Sequence, residues 1–523
     1  MSRVRRFAPL LVTLAVMANA PVTFARDVAV EGGLIADRPA EASGVRVFKG
    51  IPYATPPVGE RRWREPAPPQ PWRGARSADT FGPRCMQQPS LGDIDPLNPR
   101  MSEDCLYLNI WTPARRDDAK LPVLVWLHGG GLNLGSGSEP WYNGENLARR
   151  GIVVVTINYR LNVFGFLAHP ELTAESPHKV SGNYGILDQI LALQWIRAHI
   201  AAFGGDPAAV TVAGSSSGSR SISVLMSTPL AKGLFQRAIG QSGVAFWGLN
   251  PDAENVRPLA EAEQRGQYFA SMIDNPSIGA LRAKPAQQVL DIATLVSAAF
   301  GLTQDGRVMP KNPLEYAAFN DTPLILGWTA NEGTRFNLAG HFNLRVGDFA
   351  KRVRAAYGDQ ADALLSLYPH DTLQRERASS DDLNGDERIS FPSWKWAQLR
   401  QRAGKAPTYL YVFDHRPPAP PLVLLPLTAT GAFHTSEIVY MFDNLQTRAW
   451  PWSAADRKLA EQMSSYWINF IKTGDPNAPG SPQWQPRGAR SGLMRFGEQT
   501  GMAPDPHADR YRVLDAVSTA RRR

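Results

Sequence analysis

Short apolar runs alternate along the chain with stretches that have the periodicity of helices. Residues 123–127 are entirely apolar, as expected of a strand buried on both faces, and residues 152–159, which are largely apolar, predict a second buried strand. Residues 184–202 follow with a helical spacing of three and four, carried by Ile186, Ile190, Leu193, Ile196 and Ile200. Residues 203–207, FGGDP, stop that helix with glycine and proline. The alternation predicts a mostly parallel sheet covered by helices on both faces.

Weaker patterns predict the remaining elements. They indicate edge strands at 28–35 and 45–48, further strands at 106–111, 238–242, 323–327 and 409–413, a helix at 459–471, and short strands near Leu493 and Tyr511. Residues 246–300 are helical but variable, which is typical of a lid. We therefore expect one domain over 26–523 with cap insertions around 246–320 and 340–405, although its 523 residues would allow about three average domains.

The first 25 residues have the pattern of a secretory signal peptide. Three arginines precede an apolar run at 7–17 that is too short to span a bilayer, and small residues follow. We expect cleavage after Ala25 and export to the periplasm or the medium. In that oxidising environment Cys85 and Cys105, the two cysteines of the chain, are expected to pair.

The net charge of +8 is concentrated at the two ends of the chain. Three of the arginines lie in the signal and three are Arg521, Arg522 and Arg523, so the body between them is close to neutral. A near-neutral body without a basic stripe argues against nucleic acid as a partner. No later apolar run is long enough for a membrane span.

The first candidate for chemistry is a serine in a glycine-flanked turn. A run of β character at 210–213 enters Gly214-Ser-Ser-Ser-Gly218, and a helical stretch at 219–226 follows. Strand, sharp turn and helix are the context of a nucleophile elbow, in which the nucleophile has glycine two residues before and after it. Of the three serines only Ser216 meets that spacing. A bare Gly-x-Ser-x-Gly also occurs in serine-rich loops, so the motif needs support from the rest of the chain.

The second candidate is the glycine run that ends the strand at 123–127. His128-Gly-Gly-Gly131 leaves the backbone free to approach a ligand and to direct N–H groups at it. A glycine-rich loop upstream of a serine elbow is how esterases and lipases build an oxyanion hole.

A serine nucleophile needs an imidazole base and a carboxylate that orients it, in the chain order serine, acid, histidine. Both His415 and His434 lie in loops after the last strands, and residue patterns alone favour His434 without excluding His415. For the acid, Glu332 follows a strand directly and is favoured over Asp321 and Asp386.

At this point the chain resembles the type-B carboxylesterase/lipase family, which includes bacterial esterases, liver-type carboxylesterases and cholinesterases. The matching stretches are residues 48–59 (FKGIPYATPPVG), 102–109 (SEDCLYLN), 128–131 (HGGG), 182–189 (GNYGILDQ), 203–207 (FGGDP), 214–218 (GSSSG), 235–243 (FQRAIGQSG), 331–333 (NEG), 431–434 (GAFH) and 466–477 (YWINFIKTGDPN). They cover nearly the whole mature chain.

The resemblance implies an α/β-hydrolase fold with a large, mostly parallel sheet and helical cap insertions. It implies a triad of Ser216, Glu332 and His434, since glutamate is the usual acid of this family. It also implies an oxyanion hole of Gly130, Gly131 and Ser217 and a disulfide between Cys85 and Cys105. It further implies ion pairs of Arg62 with Glu103 and of Arg160 with Asp188, and it places Ser242 near the triad.

Departures from the family pattern bear on specificity. Ser215 replaces the usual glutamate and Ser217 the usual alanine beside the nucleophile, and the loop between the cysteines has no tryptophan. The chain is therefore not expected to be a cholinesterase. Leu132 replaces the usual aromatic residue after the glycines, which would enlarge the pocket there, and His199 stands in place of asparagine.

The expected reaction is hydrolysis of a small-molecule carboxylic ester through an acyl-enzyme, which requires no cofactor and no metal. Residues 382–386 look like a calcium loop but lack its acidic spacing. Two alternatives stay open, an acyltransferase on the same triad and a non-catalytic binding module. The ester itself is not specified, because Arg220, Arg335, Phe246 and Trp247 fit either a pocket or a structural role, and a monomer and a dimer are equally compatible with the sequence.

Overall fold

The computed structural model describes residues 27–88, 98–246, 256–273, 277–295, 300–310, 320–335, 345–418, 431–488 and 492–521. The expected signal peptide and Trp247 lie outside these ranges, and the side chain of Arg335 is not described either.

The strands, numbered in chain order, are β1 (Val28–Val30), β2 (Gly33–Ile35), β3 (Arg46–Pro52), β4 (Ala75–Arg76), β5 (Arg84–Cys85), β6 (Met101–Ser102), β7 (Tyr107–Thr112), β8 (Leu121–Leu127), β9 (Val153–Ile157), β10 (Gly205–Ser215), β11 (Arg237–Gln241), β12 (Val256–Pro258), β13 (Leu302–Gln304), β14 (Leu324–Thr329), β15 (Thr408–Phe413), β16 (Leu493–Phe496) and β17 (Gly501–Ala503).

The α-helices are α1 (Glu145–Ala148), α2 (Asn162–Phe166), α3 (Pro170–Glu175), α4 (Tyr184–His199), α5 (Ser217–Ser227), α6 (Leu259–Ser271), α7 (Ile278–Ala283), α8 (Ala286–Leu295), α9 (Asp348–Tyr357), α10 (Ala361–Leu365), α11 (Leu373–Gly385), α12 (Phe391–Ala403), α13 (Ile438–Met441), α14 (Ala454–Thr473) and α15 (Ala508–Arg521). A π-helical segment, Asp386–Ser390, joins α11 to α12. In the described ranges no helix is both long and apolar enough to cross a membrane.

Ten strands form one large sheet in the order β17-β16-β15-β14-β11-β10-β8-β9-β7-β3. Neighbours from β16 to β9 run parallel, and the strands at the two ends pair antiparallel. The predicted mostly parallel sheet is confirmed. Because the carboxyl ends of parallel strands meet at one edge, the loops after β8, β10, β14 and β15 all emerge there, as ligand-binding loops do in open α/β sheets.

Helices bury the sheet on both faces. On one face, α4, α5 and the helices after β11 contribute to a large apolar cluster; on the other, α14 contributes Tyr466, Trp467, Phe470 and Ile471. The central strands β8 and β9 are accordingly buried on both sides, which explains why nearly all of their residues are apolar.

The described residues of 256–310 and residues 345–403 are mainly helical and lie outside the large sheet. Bidentate ion pairs attach the first of these stretches to the rest of the fold. Arg282 pairs with Glu175, and Arg307 pairs with Glu65. The pair of Arg62 with Glu103 also forms, and the same guanidinium donates to the main chain at the end of α7.

Two expectations for the chain ends were wrong in detail. Residues 28–35 are two strands of a separate small sheet, because a turn at Glu31 and Gly32 reverses the chain into a hairpin. Tyr511 lies in helix α15 and not in a strand. Its buried residues, Tyr511, Leu514, Val517 and Ser518, recur at helical intervals, and that spacing outweighs the β propensity of a single tyrosine.

Candidate active site

Ser216 occupies a strained turn between β10 and α5. Its backbone has φ 56° and ψ −121°, a combination that side-chain-bearing residues rarely adopt and that is often stored at functional sites. Glycine is required on both sides of it. A Cβ at Gly214 would lie 2.7 Å from the carbonyl carbon of Gly218, and a Cβ at Gly218 would lie 2.1 Å from the oxygen of Leu127.

The turn separates the three serines by environment. Ser215 and Ser217 are buried, whereas Ser216 is partly exposed at the N-terminus of α5, where the helix dipole favours negative charge. Only the hydroxyl of Ser216 reaches the imidazole described next.

His434 lies in the loop that precedes α13, and its ring connects a hydroxyl to a carboxylate. Its Nε2 is 2.9 Å from Ser216 Oγ, and its Nδ1 is 2.5 Å from Glu332 Oε2. The side chains of His434 and Glu332 are 7% and 1% exposed, so water does not compete for the contact between them. This is the arrangement in which an imidazole accepts a proton from serine while a carboxylate holds its orientation.

Glu332 begins a 3₁₀ turn just after β14, and two further contacts align its loop with the histidine loop. Its Oε1 accepts a hydrogen bond from the N–H of Thr329 at 2.8 Å. Asn331 donates its N–H to the carbonyl of Ala432 at 3.0 Å, and its side chain accepts from the N–H of Ala432 at 3.0 Å. These hydrogen bonds hold the loop of Glu332 and the loop of His434 in a fixed relative position.

The glycine loop after β8 has fixed carbonyls and open N–H groups. Gly130 accepts from the N–H groups of Asn133 and Leu134, and Gly131 accepts from the Asn133 amide at 2.9 Å. In the part of the chain that the structure describes, the N–H groups of Gly130, Gly131 and Ser217 donate to no acceptor. Gly130 has φ 106° and Gly131 φ 67°, which glycine adopts without strain.

A buried carboxyl group that sequence reasoning missed lies behind the acid. Glu437 is fully buried, and its Oε1 accepts from Gln241 Nε2 at 3.2 Å and from Ser242 Oγ at 3.5 Å. Burial and the nearby charge of Glu332 raise the pKa of Glu437 to about 8. It is therefore neutral at pH 7. The signal was available, since Glu437 directly precedes the apolar run at 438–442.

Ser242, expected near the triad, directs its hydroxyl to Glu437. The expected pair of Arg160 with Asp188 forms and is buried, with Arg160 Nη2 2.7 Å from Asp188 Oδ1. Cys85 and Cys105 form a disulfide.

The competing candidates for the triad are engaged elsewhere. His415 Nε2 is 2.7 Å from Asp456 Oδ1. Asp321 accepts from the N–H groups of Lys405 and Ala406. Asp386 lies in the π-helical segment and accepts from Tyr368 Oη at 2.7 Å, so residues 382–386 are helical and do not form a calcium loop.

Of the residues considered for substrate specificity, two are buried in the core and one is half-buried. Leu132 is 2% exposed and packs in the apolar core, and Phe246 is equally buried, with its ring stacked on Trp396 at 5.4 Å. Arg220 is half-buried on α5. His199 accepts a hydrogen bond from the N–H of Glu31 at 3.3 Å and contacts Trp195, which is a structural role.

Comparison with known proteins identifies the family of the chain. A model of the carboxylesterase family matches residues 22–514. The chain is 36% identical over 485 residues to the fumonisin B1 esterase of Sphingopyxis macrogoltabida, covering 87% of this chain and 84% of that protein. It is 34% identical over 452 residues to the para-nitrobenzyl esterase of Bacillus subtilis (strain 168), covering 83% and 88%.

Solved structures show the same similarity at the level of the fold. A crystal structure of a Geobacillus stearothermophilus carboxylesterase superimposes with a TM-score of 0.80 at 33% identity and covers 93% of this chain and 99% of that one. A structure of a PNB esterase gives a TM-score of 0.78 at 32% identity, with 94% and 99% covered.

Proposed function

The chain belongs to the carboxylesterase family and is a carboxylic ester hydrolase, and on that premise we propose that it acts through an acyl-enzyme formed on Ser216. The observation that carries this proposal is the continuous contact from Ser216 Oγ through His434 to Glu332, at 2.9 Å and 2.5 Å.

Acylation begins with proton transfer from Ser216 to Nε2 of His434. The Ser216 oxygen then attacks the carbonyl carbon of the ester. Glu332 holds the imidazole in the tautomer that presents Nε2 as the acceptor, and its negative charge stabilises the imidazolium that forms. Because Glu437 is neutral at pH 7, Glu332 is the carboxylate that provides this charge.

The N–H groups of Gly130, Gly131 and Ser217 stabilise the oxyanion of the tetrahedral intermediate. Their lack of acceptors within the described residues supports this role, since a donor with no competing acceptor is ready for the charge when it develops. Loss of one such donor typically costs about 3–4 kcal/mol of transition-state stabilisation.

The leaving alcohol takes the proton from His434, and the acyl group stays on Ser216. A water molecule then enters, gives its proton to Nε2 and attacks the acyl carbon. Collapse of the second tetrahedral intermediate releases the carboxylic acid and returns the proton to Ser216.

The substrate is a small-molecule ester. The names of the two bacterial relatives refer to fumonisin B1 and to para-nitrobenzyl esters. We propose esters with an activated or a bulky alcohol portion as the first substrates to test.

The test compares hydrolysis of p-nitrophenyl butyrate by the parent protein, by Ser216→Ala and by Ser215→Ala. The matched control removes the neighbouring buried hydroxyl and leaves the proposed triad intact. We expect Ser216→Ala to lose at least about 10⁴-fold in kcat, and Ser215→Ala to stay within about tenfold of the parent. Equal activity of Ser216→Ala and the parent would overturn the proposal.

Export is proposed on the disulfide between Cys85 and Cys105, because such bonds persist in oxidising compartments. The N-terminal sequence of protein recovered from the periplasm or the medium tests this, and we expect it to begin after Ala25. Recovery of the chain only from the cytoplasm would contradict export.

A further inference from the structure

The proposed mechanism makes no use of Tyr159, a fully buried residue beside the glycine loop. Tyr159 follows β9, which pairs in parallel with β8 up to the register Leu127 with Ile157. The next residues of both strands therefore emerge side by side at the carboxyl edge of the sheet. This places Tyr159 against His128, the residue that begins the glycine loop.

Two contacts join Tyr159 to His128. The hydroxyl donates to the main-chain carbonyl of His128 at 2.6 Å, and the two rings stack at 4.4 Å with 15° between their planes. Burial raises the pKa of Tyr159 above its ordinary value, and the Ser217 hydroxyl opposes that rise. The phenol thus keeps its proton and remains a donor at neutral pH.

His128 contributes a second constraint to the same peptide. Burial lowers the pKa of His128 to about 4, so the ring is neutral near pH 7. Its Nδ1 lies 2.8 Å from the carbonyl oxygen of Gly129, as expected for an Nδ1–H donor. The carbonyls of His128 and Gly129 are therefore both fixed just before Gly130 and Gly131.

The carbonyl held by Tyr159 also touches the serine elbow. A Cβ at Gly218 would lie 2.9 Å from the oxygen of His128, so the first turn of α5 packs directly on this group. Gly218 immediately follows Ser217. One hydroxyl therefore contacts a peptide that adjoins both segments of the proposed oxyanion hole, the glycine loop and the elbow.

We infer that Tyr159 is a positioning residue of the oxyanion hole, which holds the N–H groups of Gly130, Gly131 and Ser217 in mutual register through the carbonyl of His128. The inference rests on the proposed function. It assigns Tyr159 a role only when charge develops on the substrate oxygen, because the ground-state ester needs little from these donors.

The test variant is Tyr159→Phe, which removes the hydroxyl and keeps the stacked ring. We expect kcat for p-nitrophenyl butyrate to fall about 10- to 100-fold, less than loss of a direct oxyanion donor, and KM to stay within about threefold. The rate is expressed per Ser216 titrated with a p-nitrophenyl phosphonate, so that unfolded protein does not contribute to the loss.

The matched control is Tyr466→Phe. Tyr466 is also buried, and its hydroxyl also donates to a main-chain carbonyl at 2.6 Å, that of Pro482, on the opposite face of the sheet. Both variants lose one such bond, and only Tyr159→Phe is expected to lose activity. An equal loss in both variants would show a general effect of destabilisation and overturn the inference.

A second measurement separates positioning from packing. A trifluoromethyl ketone forms a hemiketal with the nucleophilic serine, and its oxygen lies where the oxyanion would lie. We expect Ki for this inhibitor to rise in Tyr159→Phe by the same factor by which kcat/KM falls. A kcat within twofold of the parent, or a raised KM with unchanged Ki, would overturn the inference. Failure of the proposed function itself would instead appear as an active Ser216→Ala.

Discussion

Two histidines in loops after β15 each contact a carboxylate, and only one of these pairs also contacts the proposed nucleophile, Ser216. His434 contacts Glu332 at 2.5 Å, and His415 contacts Asp456 at 2.7 Å. Both carboxylates are buried, and both histidines lie in loops. A loop histidine after β15 in contact with a buried carboxylate is therefore common to both pairs and does not distinguish them.

The difference lies in the third group of each pair. The remaining nitrogen of His434 meets the hydroxyl of Ser216, which a strained turn presents at the edge of the sheet. In the other pair Asp456 also accepts from Tyr440 Oη at 2.7 Å and from Ser453 Oγ at 2.5 Å, and it completes the capping box of α14. We propose that the first pair transfers a proton, whereas the second pair stabilises the N-terminus of α14.

Asp456 and Glu437 differ in charge because they have different hydrogen-bond donors and different charges around them. Burial alone would raise the pKa of Asp456, but hydrogen bonds from Ser453, Tyr440 and His415 lower it below its ordinary value. Glu437, close to the first pair, has fewer donors and a nearby negative charge, and its pKa rises to about 8. A network with many donors keeps its carboxylate charged, whereas the site keeps one carboxyl neutral beside Glu332.

The largest expected difference between the pairs is in activity. We expect His434→Ala to lower kcat by at least about 10⁴-fold, because Ser216 loses its general base. His415→Ala is expected to stay within about threefold of the parent per folded molecule. Steady-state hydrolysis of p-nitrophenyl butyrate measures both. Comparable losses in the two variants would remove the distinction between the pairs.

Substitution of the carboxylate is expected to affect activity in one pair and stability in the other. Glu332→Gln keeps the shape of the side chain but not its charge, and we expect kcat to fall about 10³- to 10⁴-fold because the imidazole tautomer is no longer held. In Asp456→Asn one carboxylate oxygen becomes an NH2 group, which cannot accept hydrogen bonds from the donors around it. We expect it to lower the free energy of unfolding by about 2 kcal/mol and to leave kcat unchanged. Urea unfolding and kinetics on the same samples test this, and an unstable, fully active Glu332→Gln would contradict it.

A pH-dependent stability difference is expected from Glu437. Its pKa of about 8 in the folded protein exceeds the ordinary 4.5, so the native state binds the proton more tightly than the unfolded chain. Its contribution to stability is complete below pH 4.5 and is lost as the pH rises through 8. We therefore expect the Tm of the parent, relative to Glu437→Gln, to fall between pH 5 and pH 8. A constant difference in Tm across that range would show that Glu437 is already ionised at pH 5.

The smallest expected effect concerns the cap of α14. Ser453→Ala removes the hydroxyl that accepts from the N–H of Asp456 at 3.1 Å. Loss of such a cap costs about 1 kcal/mol of stability. Chemical unfolding should detect this change, while kcat per folded molecule stays at the parental value. A fall in kcat of more than a few-fold would mean that the His415 pair is coupled to the active site.

Local periodicity predicted the parts of the fold that position the site. The apolar run at 123–127 is contained in β8, and the helix expected at 184–202 is α4 followed by a 3₁₀ turn, Ile200–Phe203. The strand, turn and helix around Ser216 were also predictable, because the two glycines reflect contacts that a Cβ would prohibit. The chain's family was recognisable from short motifs, and the comparisons confirm it.

Features that depend on distant residues were not predictable. Residue patterns favoured His434 without excluding His415, because tertiary packing decides which ring faces Ser216, and only the family resemblance chose His434. Glu437 and Tyr159 acquire their roles from burial and from partners far along the chain, such as Gln241 and His128. Tyr511 was misassigned because three later buried positions, rather than its own propensity, determine its helix.

The most direct test of the central claim is to identify the residue that reacts with a fluorophosphonate. The parent, His434→Ala and His415→Ala are each treated with the reagent, digested and examined by mass spectrometry. We predict one phosphonyl adduct per chain on Ser216 in the parent and in His415→Ala, and labelling slowed by orders of magnitude in His434→Ala. Labelling of another serine, or equally fast labelling of Ser216 without His434, would contradict it.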